Sequence, residues 1–277
     1  DYLFQKKKDV IILDHHQSEI KLPNAHSIVN PNRFDETSNL TYLCAAGVAF
    51  LVLSGIVTRF REQDFFKKKN IQEPDLLSYL DLVALGTVCD VVPLQGLNRA
   101  FVFQGLKVLQ KRNNLGIKTL SDVANINSKI STYHLGYVIG PKINAGGRIG
   151  KSDHGANLLL TEDPEIAFKI SKELNQLNEK RKSIEGIILE EAIKIAKHKD
   201  NNPILVVSSN TWHEGIIGII ASRLKDHFNK PSIVITSSNG VLKGSARSIY
   251  NYNIGRAIKN SLDNDIIIGI RRIVKGR

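Results

Sequence analysis

Residues 164–199 restrict the fold of this chain more than any other stretch. Apolar side chains recur there at helical spacing: Ile166, Ile170, Leu174, Leu177, Ile184, Ile188, Ala192 and Ile195. Pro164 suits a first helical position, where its missing N–H costs nothing. One helix of this length exceeds the roughly 8–20 residues usual in globular domains. Such a helix ordinarily bridges two lobes, so the pattern predicts a separate core on each side of it. Gly186 falls inside the helix and weakens it slightly.

Both flanks read as α/β. Before the helix, Val10-Ile11-Ile12-Leu13 is a continuous apolar run that fits a central parallel strand buried on both faces. It stops at Asp14-His15-His16, at the strand's C-terminal end, the edge where open α/β sheets form sites. A second short run, Ser27–Val29, lies among Pro and Asn residues that mark loops. Helices are predicted over Tyr42–Arg59, over Leu76–Leu85 with a stop at Gly86, and over Leu97–Leu109, and Ser121 can cap a shorter one. Gly140–Gly150 (GPKINAGGRIG) reads as a glycine-rich loop. After the helix, Asn201-Asn202-Pro203 breaks the chain. Strands at Ile204–Val207 and Ser232–Thr236 flank a helix at Gly215–Leu224, and Asn239-Gly240 signals a turn. With a helix at Asn253–Asn260, this is a smaller β-α-β domain.

Composition excludes several classes. Hydrophobic residues at 42% and charged residues at 23% are incompatible with a disordered chain or a coiled coil. No apolar run reaches the roughly 18 residues that span a bilayer. Lys6-Lys7-Lys8 precedes too short an apolar run for a signal peptide. Cys44 and Cys89 sit in apolar surroundings and read as buried thiols, which makes the cytoplasm the default compartment. The net charge of +11 favours polyanionic partners without selecting one. Four of the cations, Arg271, Arg272, Lys275 and Arg277, crowd the last seven residues. The chain contains no methionine and opens at Asp1, so it is expected to be a trimmed or internal piece of a longer protein.

Four segments carry candidate chemistry. At Asp14-His15-His16, one histidine can reach a metal while its neighbour reaches another group, and the aspartate can hold an imidazole by its second ring nitrogen. The plainer alternative is a solvated loop. Asp90, flanked by apolar residues, is either paired or bound to a cation, unless it serves as an N-cap or turn residue. Gly140–Gly150 could admit a phosphate close to its backbone, with Arg148 as a clamp, although its spacing matches neither a dinucleotide-binding fingerprint nor a P-loop. Gly244-Ser245-Ala246-Arg247-Ser248 offers hydroxyls and a guanidinium to a phosphate. Trp212-His213-Glu214 begins like a zinc protease motif, but Ile217 stands where the second histidine belongs. Trp212 reads as a packing residue in preference to a stacking platform, His213 as a residue near a helix N-terminus, and His154 as part of a surface loop.

Taken in order, these segments resemble the DHH phosphoesterase superfamily, in its single-strand-specific exonuclease branch. The motifs that carry the resemblance are VIILDHHQ (Val10–Gln17), LPNAHSIVNPN (Leu22–Asn32), LCAAGVAF (Leu43–Phe50) and DLVALGTVCDVVPL (Asp81–Leu94). GPKINAGGRIG, LNEKR (Leu177–Arg181), WHEGIIGIIASRL (Trp212–Leu224) and KGSARSI (Lys243–Ile249) complete the set. The resemblance implies an α/β fold with a partial, parallel-sheet DHH lobe over residues 1–163, a connecting helix over 164–199, and a smaller DHHA1-type lobe over 200–277. It implies two divalent cations, Mn2+ or Mg2+, with His15 and Asp90 as ligands, His16 by the scissile phosphate and Asp14 in support. Arg148, Asn144, His213, Ser245 and Arg247 would bind the DNA and its phosphates. A single strand of DNA would thread between the lobes and be hydrolysed 5′ to 3′, in DNA repair and recombination, with a single-strand-binding protein or a helicase as protein partner. No membrane and no small-molecule cofactor is implied.

The departures are specific. The superfamily's upstream aspartate motifs have no counterpart here. His15 and Asp90 cannot hold two metals by themselves, so this chain alone is expected to have low or no activity. Asn264–Gly269 (NDIIIG) begins an expected strand, but 270–277 (IRRIVKGR) reads as an aberrant tail such as a frame change would produce. Two rival readings remain: a DHH phosphodiesterase of short oligonucleotides or cyclic dinucleotides, and a non-catalytic nucleic-acid-binding remnant.

Overall fold

A computed structural model describes residues 2–18, 20–199 and 201–269. In chain order the elements are α1 (Tyr2–Gln5), β1 (Ile11–Leu13), β2 (Ser27–Val29), α2 (Ala45–Glu62), α3 (Phe65–Lys69), α4 (Leu80–Cys89), α5 (Gly96–Gln110), α6 (Leu115–Val123), α7 (Gly140–Ile149), α8 (His154–Leu160), α9 (Pro164–Lys197), β3 (Leu205–Ser208), α10 (Ile217–Phe228), β4 (Ser232–Ser238), β5 (Val241–Arg247) and α11 (Ile254–Asp263). A 3-10 turn at Leu76–Tyr79 precedes α4, and a π-helical turn at His134–Ile139 runs into α7. The expected α/β class and parallel strand pairing are present.

The chain forms two compact units, one of Asp1–Pro141 with Leu158–Ser171, the other of Lys142–Asn157 with Lys172–Arg277. In the first, β1 and β2 pair in parallel, with Ile12 opposite Ile28. Their neighbour α2 starts at Ala45 because the Cys44 side chain accepts a hydrogen bond from the Gly47 N–H. Leu43, Val48, Leu80, Val83 and Phe101 form a core among α2, α4 and α5. Burying an aliphatic or aromatic side chain of this size contributes about 1.5–3 kcal/mol, so this cluster helps to hold the first unit together.

In the second unit, β3 and β4 are parallel on either side of α10, and β4 and β5 are antiparallel. The two-residue connection of β4 to β5 is Asn239-Gly240, both at positive φ, as the hairpin turn that follows strand twist requires. The C-terminal half of α9 packs Ile188, Ala192 and Ala196 with Leu205, Val207, Ile216, Ile220 and Leu224. Trp212 joins this core at 3% exposed and donates its indole N–H to Glu191 at 2.8 Å, so it is a packing residue as expected. No helix among the described residues is long and apolar enough to cross a membrane.

Several expectations need correction. β1 is not buried on both faces. Ile11 is 64% exposed and Leu13 36% exposed, and among the described residues β1 pairs with β2 alone. Gly86 does not stop a helix: α4 runs on to Cys89, and a Cβ on Gly86 would come within 2.9 Å of Ala46, so the glycine serves helix contact. Ser121 is no cap, because it lies inside α6 and donates to the Ile117 carbonyl, while Asn114 caps the helix through the Ile117 N–H. The glycine-rich segment 140–150 is a helix, α7, rather than a loop. Its glycines permit close packing: a Cβ on Gly140 would strike the Cys89 sulfur at 2.4 Å. His154 opens α8 and is only 9% exposed, so it is not a surface loop residue. Residues 264–269 are not a strand; Asp265 turns at positive φ, and Ile266 and Ile268 face solvent. The tail at 270–277 lies outside the described residues.

Asp81 in the first turn of α4 is 5% exposed. Burial pushes its carboxyl above the usual range, against the pull of the Leu82 N–H. A raised folded-state pKa means the ionised form costs stability, and that cost is absent in acid and grows as pH rises towards the raised value. Asp81→Asn is therefore expected to raise Tm at neutral pH, by about 2–4 °C per kcal/mol recovered, and to change it little near about pH 3. Thermal unfolding followed by circular dichroism across this range checks the sign; a Tm gain confined to acid would contradict it.

Candidate active site

The first site forms where β1 ends. Its carboxylate, Asp14, gathers the loop around one oxygen. Asp14 Oδ1 accepts the His15 N–H at 2.8 Å and the His16 N–H at 3.3 Å, and lies 2.6 Å from His16 Nδ1. Burial raises the Asp14 pKa, but the hydrogen bonds from His16 and His15 outweigh it, and the carboxyl sits below its usual range. The loop bends at His16, and the two histidine rings come together rather than pointing to opposite sides. Their rings lie side by side, 4.4 Å between centroids. They still reach different groups. His15 Nε2 lies 3.4 Å from Asp90 Oδ2, while His16 is held through Nδ1. His16 Nε2 is buried and has no hydrogen-bond partner.

Two asparagines complete the loop. Asn30 Nδ2 donates to the His16 carbonyl at 2.9 Å, and Asn32 Nδ2 donates to the His15 carbonyl at 2.7 Å. The Asn30 side chain also accepts from the Asn32 N–H. Sequence reasoning read this Asn-Pro-Asn run as a loop marker and as part of a family motif, without a role for the two amide side chains. The signal was a pair of amide side chains flanking a proline directly after β2.

Asp90 arrives from α4 as its C-cap. Val91 follows with φ of +56°, a left-handed conformation that is strained for a β-branched residue. The chain then turns away, and the next loop is tied by Asn98, wholly buried, whose Nδ2 donates to the Pro93 and Tyr42 carbonyls. Asp90 is thus not an N-cap; it lies in the turn that ends α4, half-buried and close to His15.

A divalent cation fits part of this arrangement. Two ligands about 2.1 Å from one cation stand about 3 Å apart at a right angle and further apart at wider angles. The His15–Asp90 separation of 3.4 Å is compatible with that, and the orphaned His16 Nε2 faces an unmet polar requirement. Among the described residues no group of three or more His, Cys, Asp or Glu side chains is placed to hold a metal.

The second unit holds a cationic cluster. Arg148, near the end of α7, donates Nη1 to the Gly215 carbonyl at 3.1 Å, just before α10. Gly215 packs so closely that a Cβ would lie 2.1 Å from the Arg148 carbonyl oxygen. At the first turn of α10, a Cβ on Gly218 would meet Ser245 Oγ at 3.1 Å and Arg247 Nη2 at 3.4 Å. These glycines let α7, α10 and β5 approach. Burial first, then the like charges of Arg181 and Arg247, pull the Arg148 guanidinium below its usual range, with Glu185 opposing. Glu185 binds Arg181 at 2.5 Å and Arg223 at 3.3 Å. Arg181 lies in the LNEKR motif, and its place in this cluster was missed. A helix N-terminus beside several guanidiniums is a good anion site.

Of the remaining predicted residues, His213 is exposed and accepts the Gly215 N–H through Nδ1 at 3.1 Å. Asn144 is exposed on α7, four residues before Arg148 and so on the same face. Lys142, by contrast, is 7% exposed and faces the protein.

Two family models match parts of this chain. The chain matches the DHH family N-terminal domain over residues 1–87 and the DHHA1 domain over residues 201–263. It is similar to the single-stranded-DNA-specific exonuclease RecJ of Haemophilus influenzae, 39% identical over 256 residues, covering 90% of this chain and 44% of that protein. To RecJ of Escherichia coli it is 39% identical over 258 residues, covering 90% of this chain and 45% of that protein. The chain thus spans less than half the length of these relatives. Among solved structures, RecJ of Thermus thermophilus in complex with Mn2+ matches with a TM-score of 0.77 and 28% identity, over 94% of this chain and 37% of that one.

The strain at Val91 is testable. Val91 is 66% exposed, so its side chain contributes little packing. Asn tolerates the left-handed region, which costs other L-residues roughly 1–2 kcal/mol. Val91→Asn is expected to stabilise the chain by about 1 kcal/mol in denaturant unfolding. A destabilised variant would show that the valine side chain is needed there.

Proposed function

We propose that this chain is part of a single-strand-specific exonuclease that hydrolyses DNA 5′ to 3′ with two divalent cations. The observation that carries this reading is the meeting of His15 Nε2 with Asp90 Oδ2, from separate elements, in a chain similar to RecJ across nearly its whole length. We read residues 1–163 as the C-terminal part of the catalytic domain, 164–199 as the connecting helix and 200–277 as the DHHA1-type nucleic-acid-binding domain. The wider role is in DNA repair and recombination in the cytoplasm, with a single-strand-binding protein or a helicase as partner.

His15 and Asp90 would hold a cation, Mn2+ or Mg2+, as related RecJ structures with Mn2+ and Mg2+ suggest. Such cations lower the pKa of water and neutralise charge that develops on phosphate. The chain's own groups have distinct tasks. Asp14 orients His16, so that Nε2 faces a phosphate oxygen. Arg148, Arg247 and Ser245 hold backbone phosphates, including the 5′ end, beside the first turn of α10. Contacts of this kind position a strand without reading its sequence.

One observation favours a second reading for this chain by itself, a weakly binding remnant: the described donors at the first site are too few for two cations. The two readings separate on two measurements. Asp90→Ala is expected to weaken Mn2+ binding by at least the roughly 10–100-fold that loss of an outer-shell partner costs, read by electron paramagnetic resonance, and to leave single-stranded DNA affinity within about twofold. Unchanged Mn2+ affinity would refute the ligand role. The chain alone is expected to release little mononucleotide from 5′-phosphorylated single-stranded DNA in Mn2+. Robust, metal-dependent release would overturn that expectation.

A further inference from the structure

Among the described residues two aromatic pairs are stacked, and they differ in setting. Phe60 and Phe65 are half-buried. Tyr133 and Tyr137 are 62% and 75% exposed, with ring centroids 5.3 Å apart and planes inclined by 27°. Tyr133 directly precedes the π-helical turn His134–Ile139, and Tyr137 lies within it. The same turn buries Leu135 and Ile139 completely. It sorts its aliphatic side chains inward and holds two phenol rings in solvent. Single π turns within helices are rare and recur at functional sites.

The pair is rigidly mounted. His134 Nδ1 accepts the Ser131 N–H at 3.0 Å, and the His134 ring stands edge-on to Tyr133 at 5.7 Å. The turn rests on the C-terminal end of α4. A Cβ on Gly136 would already touch Val88 at 3.4 Å, and the Leu135 carbonyl accepts a weak hydrogen bond from Cys89 Sγ at 3.5 Å. The residue after Cys89 is Asp90. The stacked tyrosines are therefore fixed to the end of the helix that carries the candidate metal ligand.

We propose that Tyr133 and Tyr137 form a base-stacking platform for single-stranded DNA, in the same unit as the His15–Asp90 pair. The proposal rests on the nuclease reading above. Flat phenol faces accept a nucleobase of any sequence, while their hydroxyls stay in water.

The test is fluorescence anisotropy of the full chain with a 5′-phosphorylated single-stranded oligonucleotide and with an abasic strand of equal length, at one fixed low salt concentration. Tyr133→Ala with Tyr137→Ala is expected to lose roughly tenfold or more in affinity for the base-bearing strand and nothing for the abasic one. Tyr133→Phe with Tyr137→Phe should bind both strands as wild type does. Quenching of a 2-aminopurine base, present with wild type, should be lost in the double alanine variant. The platform is overturned if the alanine variant binds the base-bearing strand normally, or loses equally on both strands. It is also overturned if that variant changes only self-association, which would make the pair a contact between copies. Arg148→Ala with Arg247→Ala separates the two readings. If that variant weakens binding while the tyrosine variant does not, the platform fails and the phosphate site stands. If wild type binds neither strand, both fail.

Discussion

One carboxylate oxygen organises the first site. Asp14 Oδ1 collects two backbone N–H groups and the His16 ring, and the rest of the loop follows from that. Without such an acceptor, a segment leaving an exposed two-stranded sheet would have its donors solvated and no reason to hold one shape. Asn30 and Asn32 bind the carbonyls of His16 and His15, so both polar sides of the loop are satisfied by protein. The consequence is that two adjacent imidazoles serve different partners: His16 is locked by Asp14, and His15 is left to approach Asp90. The strained Val91 belongs to the same construction, because it turns the chain sharply immediately after Asp90.

The second unit solves the opposite electrostatic problem. The first site gathers groups suited to a cation, whereas here Arg148, Arg181, Arg223 and Arg247 gather around α10. Like charges at this density repel, and the lowered pKa of Arg148 follows first from its desolvation and then from the repulsion of Arg181 and Arg247. Glu185 offsets part of it by binding Arg181 and Arg223. A polyanion would offset more, and the helix N-terminus adds to the attraction. Glycines at 215 and 218 are what bring α7, α10 and β5 close enough for the cluster to exist.

Much of the secondary structure was legible in the sequence because side-chain period reports it directly. The apolar positions of α9 and the Asn239-Gly240 turn need only local geometry. Segment 140–150 was not legible, since glycine disfavours helix by about 1 kcal/mol per residue relative to alanine. Close packing against Cys89, Leu174 and Leu177 overrides that preference, and such contacts leave no local trace. His154 escaped notice for the same reason: a polar residue among loop formers reads as exposed, yet it is buried near Glu173. The burial of β1 was misread because an apolar run does not reveal how many strands or layers cover it.

By itself the sequence determined the kinds of element, the presence of the long helix, and the identity and order of the chemically capable residues. It also carried the resemblance to the DHH superfamily, since motif order survives without any knowledge of contacts. Only the tertiary structure decided that His15 meets Asp90, that Asn30 and Asn32 hold the histidine loop, and that Arg181 joins Arg148 and Arg247. The physical reason is the range of the forces involved. Backbone sterics and side-chain period act over a few residues and can be read along the chain. Hydrogen bonds, ion pairs and close packing join residues far apart in sequence, and they exist only once the cores of the units have formed.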